Sequence, residues 1–226
     1  MRLSLRFILI ILCCTFAANV NAQYLNPKIK DKQVTIRSAV LLPAKVEIHK
    51  ESAKGAEMMV AESAEISIKV MEAVKDALQQ KKITVAMNSF EPAAMDESRK
   101  YTLADIQTRY DALLPKLVNK SKDIKKARFT LGDEVMLLNV HKEADVLVFI
   151  RGQGRVFTKG KTAFSIINIF SLDFPFTTIT VGIVDSRTGE VLAFTKPVST
   201  SGVLKDPKGL SKMIQKSLKK LPATTG

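Results

Sequence analysis

The chain has 226 residues and carries 35 lysines and arginines against 22 acids, for a net charge of +13. It holds two cysteines, two histidines and no tryptophan, which leaves little material for thiol or transition-metal chemistry. Both cysteines, Cys13 and Cys14, lie within the first 22 residues.

Arg2 and Arg6 precede an apolar run over residues 7–16, broken by Thr15, and Val20-Asn21-Ala22 then offers slim residues at a cleavage position. That is the three-part pattern of an export leader. The run is too short to span a hydrocarbon core of ~30 Å as a helix. Leu12 before Cys13, and Cys13 before Cys14, fit poorly the small residue that precedes a lipidated cysteine. Residues 1–22 are expected to be removed ahead of Gln23. The 226 residues less 22 leave 204, enough for one domain, and the charge of +13 less two leader arginines leaves +11. An exported protein of this charge meets anionic phospholipid, cell-wall polymer or acidic protein; nucleic acid is not expected as a partner.

Residues 23–35 lack apolar periodicity and read as a tether, leaving residues 36–222 as a single α/β domain. Ala39-Val40-Leu41-Leu42 is a continuous apolar run suited to a strand buried on both faces, which Pro43 should end or bulge. From about Glu57 to Gln80 the spacing of Val60, Ile66, Val70, Met71, Val74 and Leu78 predicts a helix, with Glu65 and Lys69 paired on its wet side and Lys81-Lys82 at its end. Residues 83–87 form the next strand, completing a βαβ unit.

Thr102 and Asp105 suggest the start of a second long helix with Ile106, Tyr110 and Leu113 or Leu114 on one face, and Pro115 should kink or stop it. Residues 116–128 hold six basic residues against Asp123 alone. A further short helix is expected over residues 132–141, with Val135, Leu138 and Val140 apolar. Residues 146–150 are the clearest buried strand, and residues 178–184 alternate, with Ile179, Val181 and Ile183 on one face. Residues 185–189 read as a hairpin loop with Gly189 at positive φ, followed by a strand over 191–198. Asp206-Pro207 caps and opens a last helix with Leu210, Met213, Ile214, Leu218 and Leu221 inward. The order β-α-β-α-α-β-β-β-α predicts an α/β fold, a mixed sheet with helices packed on it.

No chemistry-bearing motif survives inspection. Gly152-Gln153-Gly154 and Gly160-Lys161-Thr162 miss the phosphate-loop spacing, since five residues separate Gly154 from Gly160 where four are required. His49 and His141 are far apart and lie in no metal-ligand spacing. Neither an enzyme activity nor a cofactor or metal is expected. Two surfaces are candidates for binding. Residues 163–176 crowd apolar side chains, and Phe170, Leu172, Phe174 and Phe176 alternate as one greasy face, either a core strand or a docking surface for a partner, a like subunit or a bilayer. Lys120, Lys122, Lys125 and Lys126 form a candidate anion-binding surface, or a solvated helix face.

The segments Ser38-Ala39-Val40-Leu41-Leu42-Pro43, Ala144-Asp145-Val146-Leu147-Val148-Phe149-Ile150-Arg151-Gly152 and Val184-Asp185-Ser186-Arg187-Thr188-Gly189-Glu190-Val191-Leu192 occur in that order. In this the chain resembles a broad group of bacterial envelope proteins: curli-secretion lipoproteins, outer-membrane activators of peptidoglycan synthases, and the amino-terminal domain of the Tol system's periplasmic protein. The resemblance spans roughly residues 36–222 and implies a mostly non-enzymatic role in docking or envelope assembly. The implied location is the periplasm, with or without outer-membrane association. No family residue carries over, because the matching positions are structural. The expected function is an exported, non-catalytic protein that binds envelope proteins; the alternative is a binder of anionic cell-wall polymer or lipid through the basic helical surface.

Overall fold

A computed structural model describes residues 22–52, 54–86, 90, 95–157, 176–196, 198–199 and 206–223. The strands are β1 (Ala22–Leu25), β2 (Ser38–Leu41), β3 (Lys45–Ser52), β4 (Gly55–Met58), β5 (Thr84–Ala86), β6 (Val146–Phe157), β7 (Phe176–Asp185), β8 (Val191–Lys196) and β9 (Val198–Ser199). The helices are α1 (Pro27–Lys30, one turn), α2 (Val60–Gln79), α3 (Glu97–Asn119) and α4 (Pro207–Ser217). Among the described residues the nine strands form one sheet along the path β1-β8-β7-β6-β2-β5, with β3 also paired to β6, β4 to β3 and β9 to β7. β2 runs parallel to β5 and β6, and β6, β7, β8 and β1 are successively antiparallel. The fold is therefore the mixed α/β sheet that the element order implies.

β6 organises the sheet. Val146, Val148 and Ile150 face α2 and α4, while Leu147 and Phe149 face α3 and the short 3-10 turns. Burial on both faces is why the run is apolar without alternation. β2 and β3 pair with the same side of β6 in succession. Leu41 stands opposite Val148 and Lys45 opposite Arg151, so four steps along one strand match three along the other. Pro43 sits in that one-residue bulge, as a residue with no ladder donor must. The backbone N–H groups of Val46 and Ile48 donate to Ser67 and Ser63 of α2, so the helix covers that edge of β3.

Several boundaries differ from those read in the sequence. Residues 23–35 are not a tether. β1 pairs with β8, and Gln23, Leu25, Asn26 and Ile29 are buried. Hydrogen bonds tie this polar pair in: Gln23 Oε1 accepts from Lys220 N, while its Nε2 has no partner among the described residues, and Asn26 donates to Glu190 and caps α1 at Lys28 N. Glu57 belongs to β4, which hairpins onto β3, and Val60 at the start of α2 is 69 % exposed. α3 begins at Glu97 because Asp96 accepts from Arg99 N as its cap; Thr102 lies inside and donates to the Ser98 carbonyl. Pro115 does not stop α3, which continues to Asn119 and buries Leu117. Residues 132–141 form two 3-10 turns, Asp133–Leu138 and Val140–Lys142, separated by Asn139 at φ 58. β6 continues past Ile150 to Phe157 and includes Gly152 and Gly154. Gly189 takes φ 68 and Asp206 caps α4 through Lys208 N, as read.

Candidate binding groove

The period of two along each strand builds the site. On the α3 side of the sheet, Leu147 and Phe149 are fully buried; the next residues in phase are Arg151 and Gln153. β7 turns polar in the same region, with Thr180 and Thr178 beyond Gly182. β3 contributes Lys45 and Glu47, and β8 ends on Lys196. The second half of α3 forms the opposite wall through Asp111, Leu114, Pro115 and Val118. Between these walls lies a groove of about 610 Å³, open to solvent.

Arg151 is the unusual group in it. The residue is 5 % exposed. Its Nε donates to Asp111 Oδ1 at 2.5 Å and its Nη1 to the Ile150 carbonyl at 3.0 Å. Its Nη2 is buried and has no partner among the described residues. The guanidinium carbon lies 5.6 Å from the centre of the Tyr110 ring, which stacks on Phe149 at 4.1 Å and 11°. The aromatic pair thus supports a guanidinium that is only partly satisfied.

The acids of the groove are already engaged. Asp111 holds Arg151 and lies 3.9 Å from Lys45 Nζ; Glu47 lies 3.7 Å from Lys45 and 3.6 Å from His49 Nε2. Among the described residues three cations, Lys45, Arg151 and Lys196, face these two carboxylates, so this lining carries a net positive charge. Burial raises the pKa of Tyr110 above its ordinary range; the Arg151 charge opposes this and the Asp111 charge adds to it.

Lys120, Lys122, Lys125 and Lys126 stand elsewhere, exposed at the end of α3 and on the 3-10 helix Ser121–Lys126. Ser121 and Ile124 turn inward, and Lys126 pairs with Asp123 at 3.4 Å. Asn119, the last residue of α3, lines the groove directly before Lys120. Phe170, Leu172 and Phe174 lie outside the described residues; Phe176 begins β7, and its side chain is outside them as well. His49 and His141 are not brought into one metal site, and no cluster of three ligating side chains occurs among the described residues. Arg151 was visible in the sequence only as part of a structural motif. The continuation of the Leu147–Phe149 phase to Arg151 and Gln153 is the signal that marks it.

No helix among the described residues is long and apolar enough to cross a membrane. No family model matches the chain, and no curated protein matches it. Among solved structures, a PelC dodecamer from Paraburkholderia phytofirmans is 11 % identical at a TM-score of 0.42, covering 91 % of this chain and 98 % of that one. A point variant of the same dodecamer is 13 % identical at a TM-score of 0.43, covering 91 % and 100 %. The likeness is weak and carries no functional argument.

Proposed function

We propose that the protein is an exported, non-catalytic component of the cell envelope that works by binding another envelope protein. The observation that carries this reading is the groove over Arg151: a solvent-open cleft with a net positive lining and a buried guanidinium that keeps one nitrogen unpaired among the described residues. Its two carboxylates hold cations in place, an arrangement suited to recognition rather than to acid–base chemistry. The leader-like residues 1–22 support export, and the resemblance to envelope docking proteins belongs to the same proposal.

The test combines export and capture. Amino-terminal sequencing of the exported form should begin at Gln23, and a pull-down from solubilised envelopes should return discrete protein partners. A full-length cytoplasmic product, or capture of no protein, refutes the reading. A second reading rests on the four exposed lysines above: binding of anionic polymer or lipid, which would appear as salt-sensitive sedimentation with cell wall or anionic vesicles.

A further inference from the structure

We infer that the groove over Arg151 takes an acidic peptide segment of the partner protein, with one carboxylate on Arg151 Nη2 and an adjacent apolar side chain against Leu114, Pro115 and Val118; this rests on the partner-binding reading above. Arg151 has two of its three nitrogens committed, to Asp111 and to the Ile150 carbonyl. The remaining Nη2 is buried and has no acceptor among the described residues, a costly state for a charged donor. A carboxylate oxygen satisfies it with a charge-assisted bond. Lys45 and Lys196 flank the same space and supply further charge complementarity.

The other wall selects among anions. Leu114, Pro115 and Val118 are aliphatic, and no aromatic platform of the kind on which sugar rings stack lines the groove among the described residues. Gln153, Asn119 and the Thr178 hydroxyl present donors and acceptors to a ligand main chain. An apolar wall facing cations and amides matches a peptide that alternates acidic and aliphatic side chains.

The probe is a fluorescein-labelled hexapeptide of alternating leucine and glutamate, compared by anisotropy with the same peptide carrying glutamine. The glutamate peptide should bind roughly ten- to a hundredfold more tightly than the glutamine peptide, as expected for a charged hydrogen bond. Arg151→Met should cut that preference about tenfold or more. Where Arg151→Met fails to fold, the double variant Lys45→Gln with Lys196→Gln, made at solvent-reached positions, should weaken the glutamate peptide about tenfold. Equal binding of the two peptides, no binding of either, or a double variant that binds the glutamate peptide as the parent does would overturn the inference. Displacement of the peptide by polygalacturonate at lower carboxylate concentration would overturn it in favour of an acidic polysaccharide. In the envelope pull-down, a partner retained by the double variant refutes the groove assignment and leaves partner binding standing; no partner for the parent protein refutes the broader reading, and the peptide titration still decides the groove.

Discussion

The ring of Tyr110 occupies the place of a side chain at Gly182: a Cβ built there would stand 2.1 Å from the Tyr110 hydroxyl oxygen and 2.8 Å from its ring carbon. Gly182 lies in the middle of β7 opposite Phe149, and the tyrosine stacks on that phenylalanine. The missing side chain on one strand therefore admits the aromatic pair that lies beneath Arg151. Gly182→Ala should displace the ring and destabilise the protein by ~1–3 kcal/mol, the usual cost of overpacking a filled core. Urea denaturation measures it, and a change below ~0.5 kcal/mol, the range of a neutral surface substitution, would show that the ring relaxes freely.

The Tyr110 hydroxyl is buried and has no hydrogen-bond partner among the described residues. Removing such a group relieves a desolvation cost, so Tyr110→Phe should leave stability unchanged or raise it by ~1 kcal/mol at neutral pH. The pH dependence carries a sign. Burial holds the folded pKa above the unfolded one, so the folded state keeps its proton where the unfolded state has lost it. The stability linked to Tyr110 is complete below about pH 10, the unfolded value, and falls as pH rises further. Midpoints of urea unfolding followed from pH 9 to pH 11 should decline more steeply for the parent than for Tyr110→Phe; parallel curves would contradict the assignment.

Asn26 ties the first strand to the domain. Its amide donates to Glu190 Oε1 at 2.8 Å and its oxygen accepts from Lys28 N at 3.0 Å, with the residue fully buried. Asn26→Ala should cost ~1–3 kcal/mol by leaving these groups without partners. Lys30→Ala, at an exposed position in the same turn, should change stability by less than ~0.5 kcal/mol. Chemical denaturation that finds the two variants equal would return residues 23–35 to the status of a tether.

The lysines of the 3-10 helix should behave differently from the residues they flank. Lys120, Lys122, Lys125 and Lys126 are exposed, so replacing all four by Gln should shift stability by no more than ~1 kcal/mol. The same variant should lose sedimentation with anionic vesicles if the second functional reading holds, and parent binding should weaken as salt exceeds physiological strength, where the Debye length is ~8 Å. Sedimentation unchanged by the variant and by salt removes this surface as an anion site. Ile124→Lys, on the buried side of the turn, should unfold the segment instead, because it places a charge in a filled core.

What residues could announce by themselves were the features set by near neighbours. The two-sided burial of residues 146–150 shows in an unbroken apolar run, the Gly189 turn in its loop composition, and the start of α4 in Asp206-Pro207, because strand faces, turns and caps follow from local sterics and local hydrogen bonds. The α/β class follows from the order of such elements. Tertiary structure decided the rest. β1 is a strand because β8 offers it a ladder 174 residues away, as Ala22 opposite Lys196 shows, and no short-range pattern encodes that partner. The groove likewise draws Lys45 from β3, Arg151 from β6, Thr178 from β7, Lys196 from β8 and Asp111 from α3. Each of these looks like an ordinary polar residue in its own segment. Only the register of the strands, which places Lys45 opposite Arg151 and Arg151 opposite Thr180, brings the charges to one face and leaves one buried nitrogen without a partner among the described residues.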